Sequence, residues 1–250
     1  MSNAARELSL PGRVVVEEGP EEVSASAAET IEALSADAIR STGVFTIALT
    51  GGTTPRPLYE RLSREPAASR MAWDAWRVYF GDERAVAPDD PQSNYAFVKE
   101  TLLDRVPIPA AHVHRMQGES PDLDIAAATY STLLEATLPR AAGGAPSLDV
   151  VLLGLGENGH VASLFPGTAT LAVHDRWATR GLADYAPFER ITLTFPAINA
   201  ARTVALVVTG ASKAAALRAT AAGTVPASLV SPESGSLIWF LDREAARGIA

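Results

Sequence analysis

The chain has 250 residues, 47% of them hydrophobic and 20% charged, and this composition excludes a disordered or fibrous protein. Its 29 aspartates and glutamates outnumber its 21 lysines and arginines, and the net charge of −8 argues against nucleic acid or an anionic membrane as the main partner. The absence of cysteine excludes disulfides, thiol nucleophiles and thiolate metal sites.

Short β-branched runs alternate with alanine-rich helical stretches along the whole chain. In chain order, the predicted elements are strand Val14–Val16, helix Glu21–Arg40, strand Val44–Leu49, a helix whose first turn holds Pro55, strand Arg77–Phe80, helices Tyr95–Leu103 and Asp122–Leu138, strands Asp149–Leu155, Ile191–Phe195 and Thr203–Thr209, helix Ser212–Ala222 and strand Leu237–Leu241. This alternation predicts an α/β fold, a mostly parallel twisted sheet with helices on both faces.

The length suits a single α/β domain over residues 1–250. The glycine- and proline-containing segment Ala141–Ser147 is a candidate boundary, but we expect strands on both sides of it to join one sheet. Met1–Leu10 lacks the basic patch and apolar run of a signal peptide, and no apolar stretch approaches about 18 residues. We therefore expect a cytoplasmic protein that does not span a membrane.

Ligands of open α/β sheets bind beyond the carboxyl ends of the strands. Four segments that follow predicted strands combine glycine with polar residues: Thr50–Pro55, Gly81–Arg84, Gly154–His160 and Gly210–Lys213. Since parallel strands end at the same edge of a sheet, these four segments are the candidate site.

The first segment carries Gly51, Gly52, Thr53 and Thr54 directly before a helix start. Glycines let an anion approach the backbone, and the helix start and threonine hydroxyls offer hydrogen-bond donors, so a phosphate cradle is one interpretation. A turn with a threonine N-cap is the other. The segment is not a P-loop, because no lysine follows at the required position.

The second segment holds Asp82, Glu83 and Arg84. Arg84 could bind a phosphate or carboxylate in bidentate fashion, while the two acids hold it or act in acid–base chemistry. A solvated ion pair at a strand end is the alternative.

The third segment places His160 after three glycines at a predicted strand end, in a chain with four histidines, and this setting favours a general base. In the fourth segment, Lys213 at a helix start is unfavourable to the helix dipole unless an anion lies there; a mobile surface lysine is the alternative. His112 and His114 have no further ligand nearby in the sequence, so we predict no metal site.

At these residues the sequence resembles the 6-phosphogluconolactonase family. The matching stretches are Leu49–Pro55 with Leu58-Tyr59, Phe80–Arg84 with Asp89-Asp90 and Ser93–Tyr95, Leu153–His160 with Ala162–Gly167, Arg190–Leu193, and Gly210 with Lys213-Ala214. Their order and spacing match from about residue 15 to Asp242. The resemblance implies hydrolysis of 6-phospho-D-glucono-1,5-lactone to 6-phosphogluconate in the oxidative pentose phosphate pathway, without metal or organic cofactor.

The resemblance also implies a fold shared with glucosamine-6-phosphate deaminases, Rossmann-like in character, and a set of site residues. His160 would activate water, Arg84 or backbone N–H groups would hold the oxyanion, and Asp82 would orient a sugar hydroxyl or Arg84. The substrate and its 6-phosphate would contact a second group of residues: Gly51, Gly52, Thr53, Thr54, Asn158, Gly159, Arg190 and Lys213. The expected partner is the phosphosugar lactone alone, in a monomer or weak homo-oligomer.

Two positions depart from the family pattern. Lactonases usually have Gly-Glu-Asp-Gly-His, whereas Asn158 here keeps the acceptor oxygen without the charge. A common Ser-Pro-Lys-Pro-Pro stretch is replaced by Ala183–Glu189, which carries Asp184 and no cation, so Arg190 and Lys213 remain to bind phosphate. A non-catalytic sugar-phosphate-binding protein is therefore one alternative. A deaminase is the other, but Phe165 stands where that family has the Glu that works with the histidine in ring opening.

Overall fold

The computed structural model of the protein describes residues 9–249. The prediction that Met1–Leu10 is not a signal peptide concerns a segment that lies almost wholly outside the described residues. The strands are β1 (Arg13–Glu17), β2 (Phe45–Leu49), β3 (Trp76–Phe80), β4 (Asp82–Arg84), β5 (Val150–Leu153), β6 (Ala178–Leu182), β7 (Glu189–Leu193), β8 (Thr203–Val208) and β9 (Ser236–Asp242). The α-helices are α1 (Pro20–Thr42), α2 (Arg56–Leu62), α3 (Ala67–Arg70), α4 (Asn94–Thr101), α5 (Leu123–Thr137), α6 (Phe195–Asn199), α7 (Ala214–Ala221) and α8 (Arg243–Ala246).

Six strands form a parallel sheet in the order β1-β9-β8-β5-β2-β3. Helices flank this sheet, with the long α1 lying against β1, β2, β8 and β9. Every residue of β2, β5 and β8 is buried, as expected for central strands covered on both faces. The α/β prediction is confirmed, and strands from both sides of the Ala141–Ser147 segment join this one sheet.

Local sequence signals account for several helix boundaries. Asp122 is the N-cap of α5, where its carboxylate accepts hydrogen bonds from the backbone N–H groups of Asp124 and Ile125. α1 ends at Gly43, whose φ of +82° is the left-handed conformation that suits glycine. Within residues 9–249, no helix combines the length and the apolar character needed to cross a membrane.

A second sheet, antiparallel and three-stranded in the order β4-β7-β6, was not expected from the sequence. The predicted strand Ile191–Phe195 is displaced: β7 covers Glu189–Leu193 and pairs with β4 and β6, while Phe195 begins α6. β4 follows β3 after a single residue, Gly81, which links the two sheets: its N–H donates to the Leu49 carbonyl at 2.9 Å and its carbonyl accepts from the Leu193 N–H at 2.8 Å. The small sheet therefore stands at the carboxyl edge of the large one.

Between β2 and β5, the side to which the chain adds its next strand changes, although all strands of the large sheet stay parallel. After β2 the chain proceeds to β3 on one side, and after β5 it proceeds to β8 on the other. Such a switch point leaves a crevice at the carboxyl edge, where ligands of open α/β sheets bind. The segments that leave β2 and β5 here are Thr50–Pro55 and Gly154–His160.

Candidate active site

A cavity of about 550 Å³ opens at this switch point. Parts of all four segments predicted from the sequence line it. Of the predicted site residues, the structure brings together Gly51, Gly52, Thr53, Thr54, Asp82, Arg84, Asn158, His160, Arg190 and Lys213.

Gly159 is the predicted site residue that does not line the cavity. Its φ is +80°, its N–H is used by the Gly156 carbonyl at 2.9 Å, and a Cβ there would come within 2.5 Å of the Val225 side chain. Gly159 therefore shapes the loop that carries His160, and its direct contact with the ligand stays a prediction.

The loop that carries His160 is closed by hydrogen bonds between its own backbone groups. The Gly156 N–H donates to the His160 carbonyl at 2.9 Å, so the chain turns back on itself beyond β5. The imidazole lies directly over Gly156, where a Cβ would come within 2.1 Å of Nδ1. On its other side the ring stacks on Phe165, with centroids 4.2 Å apart and planes 28° apart.

The hydrogen bond to Asn158 determines which nitrogen of the neutral His160 ring carries the proton. His160 Nδ1 lies 2.6 Å from Asn158 Oδ1, which also accepts the His160 backbone N–H at 3.2 Å. Since an amide oxygen only accepts, Nδ1 carries the proton and Nε2 keeps its lone pair. This is the tautomer that a general base requires.

The surroundings of His160 favour its neutral form. Burial lowers the pKa of the imidazole below its ordinary value of 6.5, and the positive charges of Lys213 and Arg190 act in the same direction. The carboxylates of Asp82 and Asp184 oppose this shift but are outweighed by burial. His160 is therefore ready to accept a proton near neutral pH.

We expect Gly156→Ala to impair the site without unfolding the protein. The added methyl would occupy the position of the imidazole, so the ring must leave its hydrogen bond to Asn158. We expect a fall of about 10-fold or more in kcat, since a small displacement of a catalytic group can cost up to about 10². Gly143→Ala is the matched control, because Gly143 is exposed and outside the cavity, and a Cβ there would meet only the end of the Glu233 side chain, at 3.2 Å. Equal activity of the two variants would contradict this account of the loop.

Asp82 is held in the cavity wall by two side chains. Ser163 donates its hydroxyl proton to Asp82 Oδ2 at 2.6 Å, and Asn94 Nδ2 donates to Oδ1 at 2.9 Å. The Arg84 guanidinium donates to the Gln92 carbonyl, so Asp82 and Arg84 are fixed by other groups rather than by each other. Gly51 is required here for a reason the sequence does not show: a Cβ there would come within 1.9 Å of Asn94 Oδ1.

Glu83 points away from the cavity, as the alternation of side chains along β4 requires. It is buried and accepts hydrogen bonds from the backbone N–H groups of Arg84, Asn94 and Tyr95 and from the Ser93 hydroxyl. Burial raises the pKa of this carboxyl, and the hydrogen bonds oppose the rise. Glu83 thus holds the start of α4 in place and takes no acid–base role in the cavity.

Arg190 is the most unusual side chain of the cavity. It is 1% exposed, and its Nε, Nη1 and Nη2 atoms have no hydrogen-bond partner among residues 9–249. In the β4–β7 register it lies directly opposite Arg84, and burial together with this second guanidinium lowers the pKa of Arg190. Its guanidinium carbon lies 5.2 Å from the centre of the Tyr185 ring. A buried cation without a hydrogen-bond partner is costly, so an anion that enters the cavity would stabilise the Arg190 guanidinium.

Four side chains that contact predicted site residues in the cavity were not themselves chosen from the sequence: Asn94, Ser163, Asp184 and Tyr185. The sequence around Asn94 and Ser163 contains little that marks them as site residues. The structure shows their role, because each of them donates a hydrogen bond to Asp82. Asp184 and Tyr185 lie on the β6–β7 loop and reach the cavity through a hairpin that was not predicted. In the sequence, the only indication that Asp184 and Tyr185 belong to the site was that an acidic and an aromatic residue lie shortly before Arg190.

Comparison with known proteins completes this description. Residues 18–239 match the family described as glucosamine-6-phosphate isomerases/6-phosphogluconolactonase. A 6-phosphogluconolactonase of Nostoc sp. is 45% identical over 83% of this chain and 86% of its own length, and one of Synechocystis sp. is 43% identical over 85% and 88%. The 6-phosphogluconolactonase of Trypanosoma brucei has a similar structure, with a TM-score of 0.87, 28% identity, and coverage of 97% of this chain and 100% of that one.

Proposed function

This chain belongs to the glucosamine-6-phosphate isomerase/6-phosphogluconolactonase family, and on that premise we propose that it is a 6-phosphogluconolactonase. It hydrolyses 6-phospho-D-glucono-1,5-lactone to 6-phosphogluconate, a step of the oxidative pentose phosphate pathway. The relatives that carry this name cover more than four-fifths of the chain.

The burial of the unpaired Arg190 guanidinium in the wall that also holds His160 is the observation that carries this proposal. The cation calls for an anionic ligand, and the imidazole offers a proton acceptor in the same cavity. A phosphorylated ester-like substrate satisfies both groups at once. The 6-phosphate lies against Arg190, Lys213 and the Gly51–Thr54 loop.

In the proposed reaction, His160 Nε2 takes a proton from water as the water oxygen attacks the lactone carbonyl. Arg84 stabilises the negative charge that develops on the carbonyl oxygen. When the tetrahedral intermediate collapses, the bond from the carbonyl carbon to the ring oxygen breaks, and His160 returns its proton to that oxygen. The product carboxylic acid then ionises and releases one proton to solvent.

The proposal is tested by proton release from freshly prepared 6-phosphogluconolactone near pH 7, with and without the protein. We expect acceleration over the spontaneous ring opening seen without protein. Binding of the product 6-phosphogluconate with no acceleration would favour the alternative, a non-catalytic sugar-phosphate-binding protein. Release of ammonia from glucosamine 6-phosphate would favour a deaminase, but the ring of Phe165 stacks on His160 where that chemistry needs a carboxylate.

The activity should depend on pH through the protonation of His160. The neutral imidazole is the active form, so kcat/KM is retained above the pKa of free His160 and lost as pH falls through it. Because burial lowers this pKa, we expect the acid limb of the kcat/KM profile below pH 6.5 and a plateau near neutrality. Measuring kcat/KM at lactone concentrations well below KM from pH 5 to 8 checks this. A midpoint above 7 would contradict the neutral-base assignment.

The proposal includes a cytoplasmic enzyme that is a monomer or weak homo-oligomer and binds no nucleic acid. The net charge of −8 supports the last of these statements. Sedimentation of the purified protein over a range of concentrations measures its oligomeric state directly.

A further inference from the structure

The two residues that depart from the family pattern, Asn158 and Asp184, contact each other in the structure. Asn158, on the loop that follows β5, and Asp184, on the β6–β7 loop, lie 26 residues apart in sequence. Asn158 Nδ2 donates to Asp184 Oδ2 at 2.9 Å, while Asn158 Oδ1 accepts from His160 Nδ1 at 2.6 Å. The three side chains thus form one hydrogen-bonded chain that ends at the candidate base.

The orientation of the Asn158 amide follows from its two neighbours. A carboxylate can only accept, so the Asp184 side must receive the NH₂ group. The His160 backbone N–H can only donate, so the opposite side must present the oxygen. Without Asp184, the 3.2 Å contact with the His160 backbone N–H is the interaction of this group that is left to hold the amide in this orientation. If the amide turned its NH₂ group toward the ring, Nδ1 would have to become the acceptor and the proton would move to Nε2.

The β6–β7 loop is also anchored where this role needs it. The Ala183 N–H donates to the Phe188 carbonyl at 2.7 Å, which closes the loop around Asp184. Tyr185 lies over the Arg190 guanidinium and makes an edge contact with Phe165, the residue that stacks on His160. The loop around Asp184 is therefore closed by its own backbone, and the side chain next to Asp184 packs on the cavity wall.

We propose that Asp184 is a positioning residue for His160, acting through Asn158. The Asp184 carboxylate fixes the orientation of the Asn158 amide, and the amide oxygen fixes the proton on His160 Nδ1. An aspartate at position 158 would place its negative charge directly on the imidazole. Here the negative charge is on Asp184, and the Asn158 side chain lies between it and the ring. This inference rests on the proposed function for its kinetic consequence, but its structural content concerns the state of His160 alone.

The kinetic test is a double-mutant cycle with Asp184→Asn and Asn158→Asp. In Asp184→Asn we expect kcat to fall about 10-fold or more, the effect common for groups that orient a functional histidine, with little change in KM. In Asn158→Asp, two neighbouring carboxylates repel and kcat also falls. In the double variant, the carboxylate introduced at position 158 would accept from Nδ1 directly, so activity should return to within a few-fold of wild type.

The outcomes of the cycle separate this role from others. If Asp184→Asn lowered kcat by the same factor in wild type and in Asn158→Asp, the proposal would be overturned. A change confined to KM would also overturn it, because Asp184 would then be a substrate contact. Asp175→Asn, at an exposed aspartate outside the cavity, is the matched control and should leave both constants unchanged.

A second measurement does not depend on catalysis. Nitrogen-15 NMR of the His160 ring reports the tautomer and the pKa together. The charged groups that act on this ring are Asp82, Asp184, Lys213 and Arg190, and the variant changes only one of them. In Asp184→Asn we expect a lower pKa and a smaller population with the proton on Nδ1. If the pKa and the tautomer of His160 were the same in Asp184→Asn as in wild type, the proposal would be overturned, even for an active lactonase. If the wild-type protein had no lactonase activity, the proposed function would be overturned. The NMR measurement would still decide the role of Asp184 in that case.

Discussion

Replacing His160 with alanine is expected to lower kcat by about 10²–10⁴, the usual contribution of a general base. The variant keeps Arg190, Lys213 and the Gly51–Thr54 loop, so KM should change little. The imidazole packs mainly against Phe165 and hydrogen-bonds to the partly exposed Asn158, so thermal stability should be nearly retained. Proton release with saturating lactone measures the rate, and thermal unfolding confirms the fold.

His174→Ala is the matched control for this experiment, because His174 is exposed and lies outside the cavity. It should retain wild-type activity. If His160→Ala matched it, another group would have to activate the water. Added imidazole should restore part of the lost rate in His160→Ala, since the substitution leaves a space of the right shape beside Phe165.

Replacing Arg190 with methionine is expected to have opposite effects on activity and stability. The free protein holds this cation buried and unpaired, and exchanging an unpaired buried charge for an apolar side chain of similar length should raise the melting temperature. The same exchange removes the buried partner of the phosphate. Loss of such a charged contact costs about 2–5 kcal/mol, which corresponds to a fall of about 30-fold to 4,000-fold in kcat/KM.

Thermal unfolding with and without 6-phosphogluconate completes this test. The product should stabilise the wild-type protein more than Arg190→Met at the same concentration, because the stabilisation by a ligand grows with the logarithm of its concentration divided by Kd. Arg180→Met, an exposed arginine on the adjacent strand β6, is the control and should keep wild-type kinetics. A destabilised Arg190→Met that still binds the product would contradict the anion-binding assignment.

The large sheet could be predicted from the sequence because its strands are short apolar runs separated by helices. Val150–Leu153 and Thr203–Val208 are examples whose burial matches their composition. The small sheet could not be predicted. β4 is the polar tripeptide Asp82–Arg84, and it is a strand only because β7 supplies hydrogen-bond partners from more than 100 residues away. Periodicity within a short window carries no information about such a partner.

The candidate site divides in the same way. Glycine-rich ends of strands indicated where His160, Asp82 and the Gly51–Thr54 loop lie, since position after a strand is a local property. The missing hydrogen-bond partners of Arg190 and the contact of Asp184 with Asn158 depend on how distant segments meet. Two departures that each count against the site when taken one at a time form a complementary pair in three dimensions.

The pairing of the first strand with the last has a consequence for how the protein is made. β1 pairs with β9 along its whole length, and the Trp239 indole N–H donates to the Pro11 carbonyl across 228 residues. During synthesis on the ribosome, Val14–Val16 therefore has no neighbouring strand to pair with until residues 236–242 have been translated. During translation this apolar edge is open to pairing with other nascent chains, and a chain that stops before Ser236 leaves both β1 and β8 with an uncovered edge.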